Sequence, residues 1–96
     1  MTRWTWDPDK DEKNRNRHGL SLEVGILAVD GDPLAASRRD RHPDGDRWQT
    51  VGNAGGVVIL IVVHTEPDDE AKEPGRIISV RKATAHERKA YEKGEF

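Results

Sequence analysis

The chain has 96 residues and no cysteine, which limits it to one domain, 1–96, and excludes disulfide frameworks, thiolate catalysis and cysteine-bound metal centres. Charged residues make up 35% and hydrophobic residues 33%, so the core is thin and a partner that covers apolar surface would matter. A net charge of −2 gives no global attraction to nucleic acid, and any such binding has to come from local patches.

Trp4 and Trp6 alternate with Arg3 and Thr5, which predicts a short strand over residues 2–6. Asp7-Pro8 ends it and opens a helix. That helix is almost wholly polar from Asp9 to Arg17, hence a surface helix, and His18-Gly19 stops it because glycine suits the left-handed position past the last turn. Ser21 can cap a second helix in which Leu22, Ile26 and Val29 face a core, with Val24 and Leu27 beside them, ending near Asp30-Gly31-Asp32-Pro33. A weak edge strand is expected over Leu34 to Ser37, and the polar run from Arg38 to Asp46 reads as a loop by composition.

Arg47 to Gly52 alternates as a strand, Asn53-Ala54-Gly55-Gly56 is a hairpin signal, and Val57 to Thr65 is the run of a central strand covered on both faces. Arg76 to Ala83 forms another strand, with Ile77, Ser79 and Arg81 predicted on one face and Arg76, Ile78, Val80 and Lys82 on the other. Thr84 to Glu87 fits a capping box, so a last helix is expected from about Ala85 to Lys93. The order is strand, two helices, an antiparallel meander of three or four strands and a C-terminal helix, an α+β fold with helices segregated from the meander.

Charge is segregated along the chain. Glu66, Asp68, Asp69, Glu70 and Glu73 form an acidic run read as a solvated loop, whereas residues 76–93 hold six bases against two acids. The N-terminus has no signal-peptide h-region, and the longest apolar run, Val57 to Val63, is far short of the roughly 20 residues of a membrane span. A reducing cytoplasm is the expected compartment, with no membrane association.

Seven segments carry a family resemblance: Trp6-Asp7-Pro8, Asn14 through Arg17-His18-Gly19, Asp32-Pro33-Leu34, Arg47-Trp48, Val62-Val63-His64-Thr65, Arg76-Ile77-Ile78-Ser79 with Arg81, and Ala83-Thr84 with Glu87-Arg88 and Tyr91-Glu92. In this order and spacing they resemble the BrnT ribonuclease toxins of bacterial type II toxin–antitoxin systems, within the wider RelE/ParE toxin superfamily. The resemblance implies a RelE/ParE-like fold and a metal-independent endoribonuclease without cofactor that slows growth by cleaving RNA. It also implies neutralisation by a BrnA-type antitoxin, a heterotetramer of two toxins and two antitoxins, and promoter DNA bound only through the antitoxin. Two features depart from the superfamily: the net charge is negative where relatives are often basic, and the lysine before His-Gly is Arg17 here, which alters donor geometry.

Metal-free RNA cleavage uses the neighbouring 2′-hydroxyl as nucleophile, so it needs a base near that oxygen, a cation for the charge on phosphorus and a proton for the departing 5′-oxygen. His64, Arg76, Arg81, Glu87 and Tyr91 are the catalytic candidates, and Arg17, His18, Arg47, Lys82 and Arg88 the candidate RNA contacts. Each has a structural alternative. Arg81 reads equally as a strand cation over a sheet face, Arg76 as a solvated strand start, Glu87 as the reciprocal cap of its helix and His64 as a core-edge histidine. His18 suits the dipole of a helix C-terminus. No histidine pair has ligand spacing, so no metal site is expected. The three tryptophans read as packing anchors before base-stacking platforms. The competing function is a non-catalytic toxin of this fold that binds a protein target or acts only as co-repressor with its antitoxin.

Overall fold

The structure is a computed structural model that describes residues 3–42 and 45–96. The elements are β1 (Trp4–Thr5), α1 (Pro8–His18), α2 (Val24–Val29), β2 (Ala36–Arg39), β3 (Trp48–Ala54), β4 (Val58–His64), β5 (Gly75–Lys82) and α3 (Ala85–Lys93). The strands form one five-stranded sheet in the order β1-β5-β4-β3-β2, antiparallel except where β1 runs parallel to β5. Thr2, in the expected first strand, and Pro43 and Asp44, in the expected loop, lie outside the described residues.

Local chemistry sets the helix ends. The Asp7 carboxylate accepts from the Asp9 N–H, Pro8 takes the first turn, and Gly19 closes α1 at φ 72°. In α3 the Thr84 hydroxyl accepts from the Glu87 N–H while the Glu87 carboxylate accepts from the Thr84 N–H, the reciprocal cap read from the sequence. By contrast, α2 has no side-chain cap and begins at Val24, later than Ser21 suggested. Its stability comes from packing: a Cβ on Gly25 would stand 2.8 Å from a Val80 methyl, so only glycine lets the helix lie this close to the sheet.

The polar surface of α1 hides one buried residue. Asn14 is 6% exposed, and its carboxamide accepts from the Val80 N–H at 3.1 Å and donates to the carbonyls of Val80 and Leu20 at 2.9 and 2.8 Å. Because β1 pairs only with Gly75 and Arg76, this side chain takes the place of a neighbouring strand farther along the edge of β5.

The apolar residues divide over the two sheet faces. Trp4, Leu22, Ala28, Leu60, Val62, Ile77 and Val80 form the larger cluster under α1 and α2. Val51, Ile61 and Ala83 form the smaller one, with Ile59, Ala36, Tyr91 and Phe96 packed around it on the side of α3. Each fully buried aliphatic chain contributes about 1.5–3 kcal/mol relative to exposure.

Three expectations are corrected. The edge strand β2 is Ala36–Arg39, so two arginines read as loop are strand residues. Such a strand escapes a hydrophobic pattern because its outer edge faces water. The turn between β3 and β4 is tighter than read: Asn53 and Ala54 are still in β3, and Gly55 and Gly56 alone supply the positive φ values, 65° and 78°. Finally, the faces of β5 do not simply alternate. Val63 pairs with Ser79 but His64 pairs with Ile77, leaving Ile78 as the extra residue of a bulge. Ile77 therefore joins the core under α1 and α2, away from Ser79 and Arg81, and Arg76 moves to the face of Ser79 and Arg81.

Candidate functional site

Register decides which side chains share the sheet face opposite α1 and α2. Ala36, Val51, Ile61 and Arg81 form one row, and α3 packs over it. The adjoining row is Arg38, Gln49, Val63 and Ser79. Beyond it the same alternation continues through Arg47, Thr65 and Arg76, with the Thr65 N–H donating to the Arg76 carbonyl and the Arg76 N–H to the Thr65 hydroxyl. Gln49, Val63 and Ser79 are only half-buried and Arg38 and Arg76 are exposed, so these two rows lie open. Four arginines, Arg38, Arg47, Arg76 and Arg81, thus belong to one face, and the bulge at Ile78 is what adds Arg76 to it.

At the border with α3, Arg81 donates to both oxygens of Glu87 at 2.7 and 2.9 Å. This fork, with the Thr84 cap, holds the Glu87 carboxyl at a pKa of about 2 against the opposing effect of burial, and its bonding raises the Arg81 pKa in turn. Glu87 is therefore an anion at neutral pH, tied to a cation and a helix start. One turn along, the Tyr91 hydroxyl donates to Asp32 at 2.6 Å, and that bond with burial pushes the phenol up to about 12. Burial raises the Asp32 pKa, but hydrogen bonds from Tyr91 and from the N–H groups of Asn53 and Leu34 outweigh it and leave the carboxyl below its ordinary value. These contacts anchor α3 to β5 and to the turn after α2.

His64 lies on the other face, 2% exposed, edge-on to Trp4 with ring centroids 5.2 Å apart. Its Nδ1 is 2.9 Å from the Thr65 carbonyl, which can only accept, so this nitrogen carries the hydrogen. In the neutral ring Nε2 then accepts from the Thr50 hydroxyl at 2.6 Å, and Thr50 lies 2.6 Å from the Ser37 hydroxyl. The chain Ser37–Thr50–His64 crosses β2, β3 and β4 and lines a cleft of about 270 Å³ with Arg3, Trp4, Asp30, Asp32 and Glu66.

The structure therefore does not gather His64, Arg76, Arg81, Glu87 and Tyr91 around one point. Arg76 lies in the open rows, Arg81 in the neighbouring row at the border with α3 where Glu87 meets it, Tyr91 on α3 is bonded to Asp32, and His64 is behind the sheet. Among the candidate RNA contacts, Arg17 and His18 line a cavity of about 160 Å³ with Lys10, Lys13, Asn14, Ile78 and Ser79, at the β5 edge where the open row ends. Arg47 belongs to the open face. Lys82 pairs across from Leu60 on the opposite face, and the Arg88 guanidinium donates to the Ala83 carbonyl at 3.1 Å. The residues missed from sequence are Arg38 and Gln49, whose place on the face follows from register alone. Among the described residues, no three His, Cys, Asp or Glu side chains converge as a metal site, and no helix is long and apolar enough to cross a membrane.

The family model described as "Ribonuclease toxin, BrnT, of type II toxin-antitoxin system" matches residues 6–87. Among solved structures, the fold is similar to that of the Brucella abortus ribonuclease toxin BrnT, at a TM-score of 0.69 and 24% identity, over 88% of this chain and 99% of that one. No curated protein sequence matches the chain at a significant level. The match over most of the length, with the mixed α+β sheet just described, places the chain in the BrnT family of ribonuclease toxins of type II toxin–antitoxin systems.

Proposed function

We propose that the chain is a metal-independent endoribonuclease of RelE/ParE-like type that slows growth by cutting RNA in the cytoplasm. What supports the reading is the open sheet face with Arg38, Arg47, Arg76 and Arg81 in adjoining rows, a local cationic surface on a chain whose total charge is negative. A phosphodiester seated there meets guanidinium groups that stabilise the added negative charge as the 2′-oxygen attacks phosphorus and the bond to the 5′-oxygen breaks. The products are a 2′,3′-cyclic phosphate and a 5′-hydroxyl, the proton lost by the 2′-hydroxyl being balanced by the one gained at the 5′-oxygen. Arg76 and Arg81 touch the phosphate in this reading. Glu87 positions Arg81, Tyr91 positions α3 through Asp32, and His64 positions the strands from behind. His18, in the cavity beside Ser79, offers an imidazole for proton transfer at the end of the open row.

The partner in this reading is a BrnA-type antitoxin in a heterotetramer of two toxins and two antitoxins, with promoter DNA reached only through the antitoxin. Leu27, 52% exposed, lines a largely apolar cavity of about 300 Å³ with Ser21, Glu23, Val24 and Ile26, surface that an antitoxin could cover.

The test is incubation of a defined RNA with the purified chain in excess chelator, followed by mapping of product ends. Cyclic phosphate ends that disappear in Arg76→Ala and Arg81→Ala are the expected result. Absence of cutting on both naked and ribosome-bound RNA would overturn it. One observation favours a non-catalytic member of the fold, since Arg81 and Glu87 satisfy each other internally, and the same assay decides between the two.

A further inference from the structure

The cationic surface continues past the sheet. Arg38, Arg39, Asp40 and Arg41, with Gln49, line an open cleft of about 380 Å³ along β2, whose outer edge no strand covers among the described residues. The Arg38 guanidinium lies 4.1 Å over the Phe96 ring, and its Nε donates to the Gln49 carbonyl oxygen at 3.1 Å. The Gln49 amide nitrogen in turn donates to Asp40 at 2.7 Å. Asp40, the one acid among the described residues of the lining, is thus engaged in turning Gln49, and Gln49 and Phe96 fix the plane of Arg38. Among the described residues the Arg38 guanidinium makes no hydrogen bond besides that from Nε, and Arg41 makes no hydrogen bond or ion pair. Arg39 is committed elsewhere, stacked 5.0 Å from the Trp48 ring and bonded to the Gly45 carbonyl at 2.9 Å.

We propose that this cleft is a second phosphate subsite, in which Arg38 and Arg41 hold a phosphodiester of single-stranded RNA flanking the one seated at Arg76 and Arg81. The nature of the strand rests on the ribonuclease reading; the anion site rests on the cleft itself. Arg38 belongs both to the open row and to the cleft lining, so one backbone can run from the sheet face over its edge without leaving cationic surface. A planar guanidinium held on an aromatic face presents its donors in the fork geometry that matches phosphate oxygens. Blocking strand-to-strand association is the other service of charge on an exposed edge, but it needs charge alone and no fixed orientation.

The experiment is a titration of the full chain against a fluorescent single-stranded 2′-O-methyl oligoribonucleotide, which has no free 2′-hydroxyl and cannot be cut by this route. Anisotropy is followed over about 50 to 200 mM salt, where each phosphate contact on a single strand contributes about 0.7 to the slope of log affinity against log salt. Arg38→Gln with Arg41→Gln is expected to flatten the slope by about 1.4 and Arg41→Gln alone by about 0.7. The single variant breaks no internal bond, so it keeps the test informative if the double variant folds poorly. Unchanged slopes in folded variants would overturn the subsite. So would unchanged RNA binding accompanied by self-association, or by weaker antitoxin binding, which would assign the edge to aggregation control or protein docking. Because binding is read without cleavage, a chain that binds as expected but cuts no RNA would remove the ribonuclease reading and leave the subsite standing.

Discussion

The two faces of the sheet are built on opposite terms. Under α1 and α2 the strands present Leu60, Val62, Val80 and Ile77, all at most 1% exposed, with one polar chain of Ser37, Thr50 and His64 at the end of the layer. The other face is covered only where α3 reaches it, and the rows beyond hold arginine, glutamine, serine and threonine. In a chain with so few apolar residues, one face and part of the second are all that can be buried, and the remainder is available for charge. That remainder is where the proposed cleavage is placed, and a helix pinned by Arg81–Glu87 and Tyr91–Asp32 marks its border.

The contrast predicts different outcomes for substitutions on either side. Leu60→Ala, on the covered face and fully buried, should have the largest effect on stability, about 2–5 kcal/mol, while the activity of each folded molecule is retained. Thermal unfolding beside a cleavage assay checks it, and loss of activity at full stability would break the division between faces.

The next effect sharpens the border. Glu87 has its pKa lowered to about 2 from the ordinary 4.5, so its contribution to stability is complete above about pH 4.5 and is lost as pH falls toward 2. Since the Arg81 side chain is 36% exposed, solvent screening reduces the contribution to about 1–2 kcal/mol. Unfolding followed from pH 7 to pH 3 should show this loss in the wild type and a flatter profile in Glu87→Gln. Equal profiles would mean that the fork does not anchor α3.

Tyr91→Phe is expected to cost least, about 1 kcal/mol, by removing the hydrogen bond to Asp32 while keeping the ring. Here the sign is reversed: the phenol is raised to about 12, so its contribution holds below about pH 10 and fades as pH rises toward 12. A variant with unchanged melting temperature between pH 7 and 9 would show that the bond carries no net stability.

How far all this was legible in the sequence follows from how local each signal is. The helix stop at Gly19, the reciprocal cap of Thr84 and Glu87 and the central strand β4 depend on neighbours within a few residues, and they stand where the pattern put them. The resemblance carried by Asn14, Arg47, Arg76 and their neighbouring motifs identified the family. Asn14 was silent as a structural residue because its partner, Val80, is 66 positions away. Arg38 carries the signature of a loop because an edge strand needs no apolar alternation. The bulge at Ile78 has no glycine to announce it and exists only in the pairing of β5 with β4, so the face of Arg76 could not be read from spacing. Candidate chemistry was visible as residue types, but the grouping of those residues is a property of register.

The most direct test removes one exposed arginine from each side of the sheet and compares kcat/KM for cleavage of the same RNA. Arg76→Ala takes a guanidinium from the open face, and Arg3→Ala takes one from the cleft behind it, where Arg3 pairs with Asp30. If the open face performs the chemistry, Arg76→Ala loses about 100-fold, the scale of one transition-state donor, and Arg3→Ala stays within about twofold. Equal losses, or a larger loss for Arg3→Ala, would contradict the assignment and move the active centre to the His64 side.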